Sequence, residues 1–137
     1  MLLLQRTLRV SATLVAFVML AFAAGCGSSG EIELTAADDG RQIEMQQGQT
    51  LVVSLESNPS TGYSWERAPV EDEILQQAGE PEFRQGDRSG LVGTPGQQIF
   101  RFQAAATGTT RLDLVYHRPW EQEAKPEGIF SVTVVVR

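Results

Sequence analysis

From Glu31 to the C-terminus, apolar and polar residues alternate in short runs separated by glycine, proline, asparagine and aspartate. A period of two places successive side chains on opposite faces, as half-buried β-strands require. Glu31 to Thr35 and Gln42 to Met45 read as strands with a turn at Asp38-Asp39-Gly40 between them. Thr50 to Glu56, entered after Gly48, sets Leu51, Val53 and Leu55 on one face, and Tyr63 and Trp65 share a side of the next strand. Gln98 to Ala104 turns Phe100 and Phe102 inward. Thr110 to His117 alternates Leu112, Leu114 and Tyr116 with Arg111, Asp113 and Val115. Ile129 to Arg137 aligns Phe130, Val132, Val134 and Val136, although Val134-Val135-Val136 is apolar without a break and suits a strand covered on both faces, the favoured reading, or one facing a partner. Glu82 to Gln85 reads as a brief edge strand. Asp72 to Ala78 is the one segment that suggests a short helical turn.

Seven or eight short strands without a long amphipathic helix predict an all-β chain, an antiparallel β-sandwich of immunoglobulin-like type. Trp65, early in the third main strand, then falls where such sandwiches bury a tryptophan, and is expected in the core.

The first 25 of the 137 residues carry a different pattern. Arg6 and Arg9 precede an apolar run from Val10 to Ala23, and Ala23-Ala24-Gly25 supplies small residues just before Cys26. This order predicts an export signal over residues 1–25, too short to span a membrane comfortably as a permanent helix. Cys26 after small residues resembles the lipobox of bacterial lipoproteins, with Ala23 where leucine is usual. The resemblance implies a lipid on Cys26, a tether over residues 26–30, and a domain over 31–137 held at the cell envelope on the exported side. Gly27 in the next position is compatible with outer-membrane sorting; a plain secretory signal is the alternative.

Cys26 is the only cysteine, so neither a disulfide nor a thiol for catalysis or metal binding is available to the mature domain. Its 112 residues bury roughly 65% of the surface of their unfolded chain, enough for an independent core. Losing Arg6 and Arg9 leaves 9 basic residues against 17 acidic ones, which disfavours nucleic acid and anionic lipid as partners. The lone His117 has no cysteine to activate, and no nucleophile elbow or metal-ligand spacing is present. The pairs Glu71 and Glu73, and Glu121 and Glu123, are ordinary in an acidic chain. No catalytic residue, metal or cofactor is expected.

Three segments remain that strand-forming does not explain: Asn58-Pro59-Ser60-Thr61-Gly62-Tyr63, Gly93-Thr94-Pro95-Gly96 and Arg118-Pro119-Trp120. Pro59 fixes its own φ and drives Asn58 from the α region, while Gly62 permits a positive φ, so the first loop is shaped before any partner arrives. Each segment alone fits a turn. In this order and spacing, between strands, they resemble the chagasin-like family of inhibitors of papain-type cysteine proteases. That family carries Asn-Pro-Thr-Thr-Gly-Tyr, a Gly-x-x-Gly loop, and Arg-Pro followed by Trp or Phe; Ser60 replaces a threonine here and keeps its hydroxyl. The resemblance implies that the three loops lie side by side at one end of the sandwich and plug a papain-type cleft. Thr61 would cover the catalytic pair, Gly93 to Gly96 would reach the substrate-strand subsites, and Arg118-Pro119-Trp120 would grip the leaving-group side. Tyr63 is expected to prop the first loop, and the inhibitor to act as a monomer without a cofactor. A non-inhibitory adhesive or structural envelope lipoprotein is the alternative, and a sandwich hydrolase a weaker one.

Overall fold

In a computed structural model describing residues 30–86, 95–121 and 123–137, the alternating runs become nine strands in two facing sheets. These are β1 (Ile32–Leu34), β2 (Gln42–Met45), β3 (Thr50–Ser57), β4 (Ser64–Arg67), β5 (Leu75–Gln77), β6 (Glu82–Arg84), β7 (Gly96–Ala104), β8 (Gly108–His117) and β9 (Gly128–Val136). One sheet runs β1-β3-β7-β5, with β6 also on β7; the other runs β2-β9-β8-β4. The sandwich is the expected one, with nine strands instead of seven or eight because β5 forms where a helical turn was expected. The pairs β3–β7, β8–β9 and β4–β8 are antiparallel, whereas the short strands β1 and β2 lie parallel to β3 and β9. This follows from the turn between them: a single 3-10 turn at Ala36–Asp38, capped by Thr35, carries the chain from one sheet to the other instead of folding it into a hairpin.

Alternation also sets the core. Leu51, Val53, Leu55, Phe100 and Phe102 from one sheet meet Leu112, Leu114, Phe130, Val132, Val134 and Val136 from the other. Each such side chain removed from water contributes about 1.5–3 kcal/mol, so packing alone can support a domain without disulfides. Phe100 and Phe102 stack with ring centroids 6.1 Å apart. The Arg67 guanidinium covers Phe102 at 5.2 Å and donates to the Leu75 carbonyl at 3.0 Å; its burial lowers its pKa from the ordinary value.

Three local expectations change. Asp72 to Ala78 holds no helical turn: the Asp72 carboxylate accepts from the Ile74 N–H (3.1 Å) and the Thr110 hydroxyl (2.5 Å), fixing a bend. Leu75 then enters β5 opposite Ala104 and is 1% exposed. Trp65 is half-buried and packs against the core from its rim. Val135 is half-buried on the outer face of β9, while Val134 and Val136 face the core, so the strand alternates despite its unbroken apolar run.

Register places the loops. Ser57 at the end of β3 pairs with Gly96 at the start of β7, and Ser64 at the start of β4 pairs with His117 at the end of β8. Residues 58–63, Pro95 and residues 118–121 and 123–127 therefore emerge at one pole. β1 is parallel to β3 and pairs Ile32 with Leu51, so it begins at the opposite pole, where the Gln49 side-chain amide donates to the Gly30 carbonyl (3.4 Å).

Candidate functional site

Pro59–Thr61 forms one 3-10 turn with Asn58 extended before it (φ −123°, ψ 92°) and Gly62 left-handed after it (φ 80°, ψ −4°). Pro59 at the first helical position needs no N–H, and glycine carries the positive φ without a Cβ clash. The Thr61 N–H donates to the Asn58 carbonyl (3.2 Å) and the Gly62 N–H to that of Pro59 (3.0 Å). Ser60 donates its hydroxyl to Asn58 Oδ1 (2.6 Å) and Thr61 its hydroxyl to the Asn58 carbonyl (2.7 Å), so both hydroxyls brace the turn they sit on. Pro59, Ser60 and Thr61 are exposed at the tip.

The third segment is fastened to the first. Arg118 Nε donates to the Thr61 carbonyl (3.2 Å), Nη1 donates to Glu121 Oε1 (3.3 Å), and the guanidinium lies 4.5 Å from the Tyr63 ring centroid. Pro119 and Trp120 follow in the open, with Trp120 68% exposed. A Cβ on Gly62 would stand 2.5 Å from Trp120 Cη2. The far edge of the indole thus lies on the Gly62 backbone, and the absent side chain at residue 62 makes room for it.

Of the second segment, Gly93 and Thr94 lie outside the described residues. Pro95 is exposed beside the first loop, and Gly96 is buried in β7. A Cβ on Gly96 would come within 2.5 Å of the Arg84 carbonyl oxygen and 2.7 Å of Phe83 Cζ. Gly96 therefore admits β6 against β7.

Beneath the loops stands a row of rings of which the motifs announced only Tyr63. Tyr116 lies 5.4 Å from Tyr63 and 5.0 Å from Trp65 between centroids, and its hydroxyl accepts the Asn58 N–H (3.1 Å). Trp65 Nε1 donates to the Glu56 carbonyl (2.9 Å). Hydrogen bonding with the Glu127 carboxylate, with smaller help from burial, raises the Tyr63 hydroxyl above its ordinary pKa. Tyr63 thus carries Arg118 on its ring and props the first loop. Alternation had put Tyr116 in the inward row; its place at the top of that row makes it a pedestal. Glu127 had no sequence signal.

Removing the Tyr116 hydroxyl leaves the Asn58 N–H without that acceptor in a partly buried place. Tyr116→Phe is expected to lower stability by about 1 kcal/mol, read from the urea midpoint at unchanged m-value.

His117 Nε2 lies 2.7 Å from Glu66 Oε2 at the foot of the third loop, with no nucleophile in the pair. Among the described residues no group of His, Cys, Asp or Glu could hold a metal ion. No helix among them is long and apolar enough to cross a membrane.

Comparison with known proteins fits this geometry. The sequence pattern of the Chagasin family peptidase inhibitor I42 matches residues 44–134. Amoebiasin-2 of Entamoeba histolytica is 32% identical over 108 residues, covering 76% of this chain and 84% of that protein. Chagasin of Trypanosoma cruzi is 28% identical over 105 residues, covering 73% and 93%. The crystal structure of a cysteine protease inhibitor from Entamoeba histolytica superposes with a TM-score of 0.69 at 28% identity, over 78% of this chain and 96% of that one. The matched span runs from β2 into β9 and holds the first and third loops together with the strands that position them, so by sequence and by fold this chain belongs to the chagasin family of peptidase inhibitors.

Proposed function

We propose that the protein inhibits papain-type cysteine proteases reversibly and competitively, by seating its loop pole in the active-site groove. The observation that carries this reading is the fastening of the first loop to the third, through Arg118 and the Thr61 carbonyl and through Trp120 on Gly62. Two loops already joined lose little freedom on docking, which favours tight binding. Such proteases act with a low-pKa thiolate beside a protonated histidine at the bottom of a groove. The tip at Pro59–Thr61 is a 3-10 turn rather than an extended strand, so it can cover that pair without offering a peptide bond in the conformation of a substrate. Trp120, exposed between Pro119 and Glu121, is suited to the leaving-group side as a binding hot spot. Pro95 supplies the second loop's described contact surface. No covalent step or cofactor is involved.

An anchor on Cys26, outside the described residues, completes the proposal. Gly30 sits at the pole opposite the loops, so a lipid attached upstream would leave the inhibitory face directed away from the membrane. Exposure at the exported face of a bacterial envelope follows from the same proposal.

The test is titration of papain with the purified protein. Loss of activity in proportion to inhibitor added, relieved by raising the substrate concentration, is expected. Full papain activity at micromolar protein would overturn the reading and favour the non-inhibitory envelope module.

A further inference from the structure

Gln98 is a polar residue in the inward row of β7, two positions before Phe100 and two after Gly96. Its side chain crosses to the other sheet. Oε1 accepts the Trp65 N–H at 2.9 Å and Nε2 donates to the Trp65 carbonyl at 2.9 Å, so the amide satisfies both backbone groups of that residue. β4 is the outermost strand of its sheet, paired only with β8, and Trp65 turns both polar groups to the unpaired edge. One side chain thus takes the place of a neighbouring strand. Such a bidentate amide fixes position along the strand as well as distance.

The placement connects the loops. β4 starts at Ser64, immediately after Tyr63 closes the first loop, and β7 starts at Gly96, immediately after Pro95 of the second. Gln98 therefore joins the outgoing strand of one loop to that of the other, across the gap between the sheets. The first and third loops hold each other directly, through Arg118 and Trp120. The described part of the second loop is tied to them through β3, by the Ser57 and Gly96 pairing, and through this amide.

We infer that Gln98 is a positioning residue for inhibition: it sets the offset of Pro95 and Gly96, the described end of the second loop, from the first loop without touching the protease. The inference rests on the inhibitory reading above. It also makes a claim about the free protein, that the edge N–H of Trp65 is protected by a side chain.

Gln98→Met keeps length and flexibility and removes both hydrogen bonds. In the free protein the Trp65 amide hydrogen is expected to exchange faster in this variant, while amides in the middle of β8 and β9 keep their protection. With papain, the inhibition constant is expected to rise about tenfold through slower association, because the competent loop arrangement becomes a smaller fraction of the population. Active-site titration restricts the comparison to folded inhibitor. Gln98→Glu retains an acceptor for the Trp65 N–H and, ionised, loses the donor to its carbonyl. It should keep the amide protected while still weakening inhibition. A wild-type inhibition constant in folded Gln98→Met, or weakening matched entirely by the unfolded fraction, would overturn the positioning role. Should Gln98→Met fail to fold, Gln98→Glu inhibiting as the wild type does would overturn it equally. Failure of the wild-type protein to inhibit papain would sink the function itself, a result distinct from any difference between variants.

Discussion

Gly62→Val is expected to weaken inhibition of papain by about a hundredfold or more, while the sandwich stays folded. Two effects combine at this position. The backbone is left-handed (φ 80°), a region where a β-branched residue is strained by about 1–2 kcal/mol. The new Cβ would also stand 2.5 Å from Trp120 Cη2, so the indole must leave its seat. With both loops disturbed, the pole loses its prearranged shape and part of the contribution of an anchoring aromatic, together about 3 kcal/mol of binding. Gly40 supplies the control. It has the same φ of 80° with nothing within 4 Å of its would-be Cβ, and it lies in the turn before β2, away from the loops. Gly40→Val should lower thermal stability by a similar strain and leave the inhibition constant unchanged. Equal inhibition by Gly62→Val and wild type would show that neither the turn nor the indole's seat matters to docking.

Trp120→Ala is expected to weaken binding by about 2–4 kcal/mol with little change in melting temperature. The reason is geometric. At 68% exposure the ring takes no part in the core, and its far edge rests against the Gly62 backbone. Truncation therefore removes surface available to a partner and leaves the sandwich intact. A competitive inhibition assay reads the effect, and wild-type affinity would remove Trp120 from the interface. The double variant with Gly62→Val tests the shared contact. If the valine acts largely by displacing the indole, the two losses should fall well short of adding.

The strands were legible because each buries one face and alternation is all that such burial demands. Gln42 to Met45 was read to its ends, and Phe100, Phe102, Leu112, Leu114, Phe130 and Val132 were all placed inward by parity. Pairing was less legible. The parallel partners of β1 and β2 depend on a sheet switch at Ala36–Asp38, which local composition does not reveal. The segment after Asp72 escaped because a single carboxylate, bonded to Thr110 far along the chain, decides its course. Trp65 was placed too deep: its indole N–H seeks the Glu56 carbonyl at the rim, as a half-polar ring does.

At the candidate site the motifs carried most of the information, since proline and glycine act through backbone dihedrals that are visible in sequence. The positive φ at Gly62 and the joining of the first and third loops agree with that expectation. Gly96 carries a packing demand that its motif did not reveal, since a glycine needed for strand packing is written the same way as one needed for access. The supporting groups, Tyr116, Glu127 and Gln98, were invisible as such. Each acts through one hydrogen bond or amide pair made across the fold; Tyr116 and Gln98 left only a trace, as polar groups at inward positions, and Glu127 left none.

The ring row Trp65, Tyr116, Tyr63 has an optical consequence. Three chromophores with neighbouring centroids 5.0 and 5.4 Å apart, each pair tilted by 31°, form a small chiral array whose electronic transitions couple. Fixed aromatic packing of this kind gives near-ultraviolet circular dichroism, which vanishes when tertiary order is lost. Because the array lies at the loop pole, its dichroic band would register a shift of the loops that leaves the rest of the sandwich untouched, with no label attached.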